Sequence, residues 1–252
     1  MIRRLGAEFL GTAILVATVV GSGIMGTRLT DDLAVTLLIN ALATVAVLGV
    51  LIWGIGPISG AQFNPAVTVI AAIDRQMRPA EAVGYLLAQV AGGISGAILA
   101  NLMFALPPIE TSTTVRTGWS IWLGEVVATA GLLLLIGALT RTGRGHLGAI
   151  LVPAWIGAAY FFTSSTSFAN PAVTIGRSLT DTFAGIAPSS VLPFIGFQML
   201  GAAIGALLTA AFYPRRTSTP EPLDLPDPVH RPQAGSPSHQ STRHRTGQPS
   251  EQ

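Results

Sequence analysis

Apolar residues gather in six stretches of membrane-crossing length, roughly Leu5 to Met25, Leu33 to Trp53, Ala80 to Phe104, Gly118 to Leu139, Leu147 to Phe162 and Pro188 to Phe212. A bilayer-spanning helix needs about 20 such residues, and the pattern predicts six of them. The fifth is the shortest and is interrupted by Pro153. Two further apolar runs, Val67 to Ile73 and Val173 to Leu179, are too short to cross. They follow spans two and five, each after a polar, small-residue loop: Ser59-Gly60-Ala61-Gln62-Phe63 and Ser165-Thr166-Ser167-Phe168-Ala169. Both read as half-helices that enter the membrane without leaving on the far side. Beyond Pro214 the chain turns to Pro, Ser, Thr, His and Arg. Such a tail (215–252) buries too little apolar surface to fold, so it is expected to be disordered.

Each half-helix opens on the same five residues, Asn64-Pro65-Ala66-Val67-Thr68 and Asn170-Pro171-Ala172-Val173-Thr174. Asn caps a helix, and Pro takes the first helical position, where its missing N–H costs nothing. A half-helix that starts inside a membrane aims the positive end of its dipole at the bilayer middle. Two in matching places mark a solute path at the midplane. A cap held by its own helix still offers an amide N–H₂ group to a solute, so Asn64 and Asn170 are expected to face each other across that path.

The duplication reaches further. Glu8 and Thr12 in span one match Glu125 and Thr129 in span four, and Gln89, Gly92 and Gly96 in span three match Gln198, Gly201 and Gly205 in span six. Three spans per half is an odd number, which places the halves in opposite orientations. The expected architecture is an all-α membrane protein of six transmembrane helices and two re-entrant half-helices. It forms one channel domain over residues 1–214, with inverted repeats at about 1–105 and 115–214. Arginine placement sets the orientation. With both termini cytoplasmic, every inner loop or terminus carries an Arg pair and only Arg28, Arg116 and Arg177 fall outside.

Composition sharpens this picture. Half of the 252 residues are hydrophobic and only 10% are charged, against about a quarter in soluble domains. The net charge is only +2, so the basic isoelectric point of about 9.7 does not indicate a nucleic-acid partner. Cysteine is absent, and no Ser/His/Asp, Cys/His or metal-ligand set lies at membrane depth. Neither an enzyme nor a bound metal or cofactor is expected.

Glu8 and Glu125 sit inside apolar spans, where an ionisable group costs about 2.5 kcal/mol or more and demands partners. They read either as a proton relay or as acceptors for backbone N–H groups of the loops that precede the half-helices. The second reading is favoured, because irregular backbone at membrane depth must be satisfied by protein. The Gly92/Gly96 and Gly201/Gly205 pairs have the spacing that lets helices approach closely. For Arg177, about two turns into the second half-helix, snorkelling to the external surface is favoured over lining the path.

Two Asn-Pro-Ala motifs, the Ser-Gly-Ala-Gln-Phe-Asn-Pro-Ala-Val-Thr loop and the Glu-x-x-x-Thr pairs together resemble the major intrinsic protein family, the aquaporins and glycerol facilitators. The resemblance covers the chain to about Pro214. It implies a right-handed six-helix bundle with a pore in every subunit of a homotetramer, located in the inner (plasma) membrane and surrounded by lipid. It assigns pore roles to Asn64, Pro65, Ala66, Asn170, Pro171 and Ala172, and loop-bracing roles to Glu8 and Glu125. In most members an Arg follows the second motif and, with an aromatic residue on span two, forms the outer constriction; here that position is Val173. Family spacing puts the other filter positions at Thr44, Ala158 and Ser167. The filter is therefore expected to be wide and weakly polar, without an aromatic residue or a fixed positive charge. This is similar to a bacterial aquaglyceroporin-like branch. The resemblance implies a passive channel for water and small uncharged solutes: glycerol-like polyols, urea, or neutral metalloid hydroxides such as arsenous acid. The alternatives are a water-selective aquaporin and a coupled inverted-repeat transporter.

Overall fold

A computed structural model of the chain describes residues 1–215, and the tail expected to be disordered lies outside the described residues apart from Arg215. The helices run in the order α1 (Ile2–Leu29), α2 (Leu33–Ser59), α3 (Pro65–Ile73), α4 (Pro79–Met103), α5 (Trp119–Arg141), α6 (Gly148–Phe162), α7 (Pro171–Arg177) and α8 (Pro188–Phe212), with one 3-10 turn (Gly145–Leu147) leading into α6. Six of them are long and apolar enough to cross a membrane, as the hydrophobic pattern predicts; the fifth, counted with its 3-10 turn, spans Gly145–Phe162. The two short helices are the half-helices. Pro153 lies within α6 and does not end it.

Long, long, half, long is thus the order in both halves. Within each half the first and last helices pack most extensively, α1 on α4 and α5 on α8, while α2 meets α6 across the halves. The close pairs depend on glycine. A Cβ at Gly96 would run into the Ala13 carbonyl on α1, and one at Gly205 into the Ala130 carbonyl on α5. Removing the side chain lets the backbones touch, which replaces the hydrophobic drive that lipid does not supply. Large apolar side chains such as Leu42, Trp53, Leu192 and Leu207 remain exposed. In water such a surface would aggregate; a bilayer accommodates it.

The half-helices α3 and α7 fill the space between the long helices. Each packs on both α4 and α8 and each meets the other. Their Asn64 and Asn170 caps are buried, as are the Pro and Ala that follow. The glycine contacts give a test. Gly96→Leu and Gly205→Leu should each prevent a close helix pair from forming and lower the unfolding temperature of the detergent-solubilised protein. Overpacking of this kind costs about 1–3 kcal/mol or more. Unchanged melting in both variants would contradict the packing described.

Candidate functional site

The site begins with two buried carboxylates. Glu8 Oε1 accepts from Ser59 Oγ (2.6 Å) and Gln62 N (3.0 Å), and its Oε2 accepts from Phe63 N (2.7 Å) and Gln89 Nε2 (2.8 Å). In the second half, Glu125 Oε1 accepts from Phe168 N (2.9 Å), and Oε2 from Ala169 N (2.9 Å) and Gln198 Nε2 (2.7 Å). Both carboxylates are fully buried. The loops before α3 and α7 have no helical partners for these N–H groups, and an unmade bond at that depth costs several kcal/mol. Gln89 and Gln198 complete each arrangement by also donating to Thr68 Oγ1 and Thr174 Oγ1, at 2.9 Å in both halves. The repeated glutamines were visible in the sequence, but their place beside the carboxylates depends on how α4 and α8 register against α1 and α5.

The two loops then cross. Asn64 Oδ1 caps α3 by accepting from Ala66 N, and Asn170 Oδ1 caps α7 by accepting from Ala172 N, both at 2.9 Å. The amide nitrogens reach to the opposite loop: Asn64 Nδ2 donates to Ala169 O (2.7 Å) and Asn170 Nδ2 to Phe63 O (2.8 Å). Phe63 and Ala169 both adopt a left-handed backbone with φ of 47°. An amide nitrogen carries two hydrogens, so one N–H on each Asn is left over among the described residues. Both Asn side chains line a cavity of about 380 Å³. That cavity runs from Asp74, Gln76 and Thr140 at one end, past the two Asn, to Tyr160 and Arg177 at the other. Its lining combines aliphatic side chains, Leu48, Ile70, Leu133 and Ile156 among them, with residues 60–64 and 167–170 of the two loops. At the Asp74 end, Arg141 and Arg215 pair with the Asp74 carboxylate at 3.4 and 3.2 Å.

The outer end differs from expectation at two residues. Thr44, Ser167 and Val173 line the cavity, but Ala158 does not; it is exposed on α6. Ile156 and Tyr160 are one turn apart on the buried face, and position 158 lies between them on the opposite side. Tyr160 takes the place on the path expected for Ala158, with its hydroxyl 3.2 Å from Thr44 Oγ1. Thr44 donates its only hydroxyl hydrogen to Asn40 O (2.8 Å), so Tyr160 donates to Thr44.

Arg177 does not snorkel. It is 3% exposed and lines the cavity. It stands four residues after Val173 on the same helix face, one turn or about 5.4 Å farther out. Its guanidinium lies 3.4 Å over the Phe168 ring, and Nε donates to Ala184 O. The segment after α7 folds back over the helix end, and three successive carbonyls there meet arginines. Besides Ala184 O, Arg116 donates to Gly185 O (2.9 Å) and Phe183 O (3.2 Å). Arg116 also lies over the Phe168 ring, at 5.3 Å. Burial pushes its guanidinium pKa down, with Glu125 acting in the opposite direction. The expectation of an outer filter without aromatic or cationic groups is therefore corrected: a tyrosine and an arginine border it.

The sequence model described as Major intrinsic protein matches residues 1–169. The chain is 50% identical over 206 residues to the aquaglyceroporin AqpS of Rhizobium meliloti (strain 1021), covering 82% of this chain and 88% of that one. It is 30% identical over 221 residues to the glycerol uptake facilitator protein-like 6 of Lactiplantibacillus plantarum, with coverage of 82% and 95%. The X-ray structure of the aquaglyceroporin from Plasmodium falciparum superposes with a TM-score of 0.61 at 21% identity, covering 84% of this chain and 95% of that one, a likeness of fold.

The carboxylate geometry yields a direct test. Glu8→Gln keeps the shape but turns one acceptor oxygen into a donor, leaving two of its four partners unmatched. At about 1–3 kcal/mol per unsatisfied group, the yield of folded Glu8→Gln protein should fall sharply in size-exclusion profiles. Normal assembly would show that the loop does not depend on this carboxylate.

Proposed function

The chain belongs to the major intrinsic protein family, a family of membrane channels rather than enzymes, and on that premise we propose that its path conducts small uncharged polyhydroxy solutes together with water. The carrying observation is the mixed lining of the path. A polyol has a hydroxyl edge and a C–H edge; the cavity offers amide N–H groups of Asn64 and Asn170 together with aliphatic side chains. In this reading Asn64 and Asn170, with Pro65, Ala66, Pro171 and Ala172, form the central pore, and Glu8 and Glu125 brace its loops. The aquaglyceroporin and glycerol-facilitator relatives support polyols over water alone. Urea and neutral metalloid hydroxides share the same small, uncharged, donor-and-acceptor character.

The filter consists of Thr44, Ser167, Val173, Tyr160 and Arg177. Two half-helix N-termini and Arg177 place positive potential along the path, so cations are disfavoured and the neutral form of a solute is the permeant one. A coupled transporter would need a free titratable group in the path; Glu8 and Glu125 are instead engaged by their loops, and Asp74 at the cavity's end is paired with Arg141 and Arg215. A water-selective channel is the second reading, favoured by the buried Tyr160 and Arg177 at the outer end. Arginine placement supports both termini on the cytoplasmic side of the plasma membrane, and the family resemblance supports a homotetramer in lipid.

Light-scattering of proteoliposomes tests this. Glycerol and urea uptake should exceed that of empty vesicles and should not change when a proton or sodium gradient is imposed. Val173→Arg should suppress both solutes more than water, by roughly tenfold if it adds about 1.4 kcal/mol to the barrier. A parent protein that passes water alone, or one opened to polyols only by Arg177→Ala, would favour the water-selective reading.

A further inference from the structure

Arg177 has more donors than the fold uses. A guanidinium carries five N–H donors, and among the described residues the only hydrogen bond from Arg177 is the one from Nε to Ala184 O. The two terminal nitrogens are without protein partners there. Ser167 Oγ is a second unspent group in the same cavity: Ser167 is 4% exposed and lines the cavity, and its hydroxyl has no partner among the described residues. The positive charge is not neutralised by a salt bridge either. No carboxylate of the described residues pairs with Arg177 or Arg116, although both lie over the Phe168 ring. Glu125, the carboxylate whose charge bears on both, is occupied by Phe168 N, Ala169 N and Gln198 Nε2.

A structural role for Arg177 uses the ring stack and one N–H. It leaves unexplained why a planar fork of free donors borders the same cavity as a buried, unpartnered hydroxyl. We propose that Arg177 and Ser167 form an oxyanion subsite at the outer end of the path, fitted to a small monovalent carboxylate. The terminal guanidinium nitrogens take the two carboxylate oxygens in the fork geometry that this pairing favours, and Ser167 Oγ donates to one of them. The bound anion stays there. To move inward it must surrender charge-assisted bonds and pass between aliphatic residues such as Leu48 and Ile156, where a bare carboxylate is costly. The subsite therefore makes small carboxylates blockers of the path, a property that rests on the channel reading above and specifies its outer filter.

Formate serves as the probe. Full-length protein in proteoliposomes at neutral pH is given formate at equal concentration on both sides, with a bulky sulfonate as the control anion, and glycerol and water flux are followed in the same vesicles. For a dissociation constant in the tens of millimolar, about 50 mM formate should reduce flux roughly twofold relative to sulfonate. Normalised to each variant's own flux without formate, Arg177→Gln should lose the block, Arg177→Lys should retain part of it, and Ser167→Ala should weaken it. If Arg177→Gln does not assemble, Arg177→Lys and Ser167→Ala decide the matter. Flux in the parent that formate leaves unchanged, or a block equally strong in the Arg177 and Ser167 variants, overturns the subsite. A parent that passes water but no glycerol defeats the polyol reading alone, because formate block of water flux still decides the subsite.

Discussion

Everything at the centre of this protein depends on two backbone residues, Phe63 and Ala169, each held in a left-handed conformation at φ 47°. Such a conformation costs a non-glycine residue about 1–3 kcal/mol and persists only where its surroundings over-determine it. Here each residue is fixed from both sides. Its N–H goes to the carboxylate of its own half, Glu8 or Glu125, and its carbonyl accepts from the Asn cap of the other half. The carboxylate thus shapes a loop, the loop presents a carbonyl, and the carbonyl orients the opposite cap. Neither half can form its part of the path without the other.

That mutual dependence separates the centre from the outer end. The centre obeys the duplication, with paired carboxylates, glutamines, caps and crossing bonds. The outer end departs from it. Val173 matches Val67 in the repeat, yet the second half is bordered by Arg177 stacked on Phe168 and held by the fold-back segment, whereas the arginines at the Asp74 end are paired with its carboxylate. In the proposed reading the centre sets what a solute must exchange with, namely amide N–H groups and aliphatic side chains, and the outer end decides which solutes reach it.

How much of this was legible in the sequence follows from the range of the physics involved. The six spans, both half-helices and the caps are local: apolar length, a Pro at the first helical turn and an Asn before it carry them. The carboxylates were legible as groups that demand partners. A count of residues from a motif ignores helical phase: two residues along α6 lead from the exposed Ala158 to Tyr160 on the buried face, and it is Tyr160 that lines the cavity. The burial of Arg177 escapes the sequence because it depends on the segment at Ala184 folding back over α7, a tertiary fact without a local signal. The left-handed Phe63 and Ala169 are invisible for a similar reason, since no propensity marks them and they are held by tertiary bonds, from the carboxylates on one side and the opposite Asn caps on the other.

The crossing bonds make the most direct test. Asn64→Ala, Asn170→Ala and the double variant can be compared by thermal unfolding and by glycerol flux. If the two bonds stand or fall together, either substitution lets the loop tips separate. The double variant should then lose much less than the two single losses combined, with a coupling of about 0.5–3 kcal/mol. Additive losses in stability, with flux surviving in either single variant, would contradict the account, because the two loops would then be independent caps that only happen to lie close together.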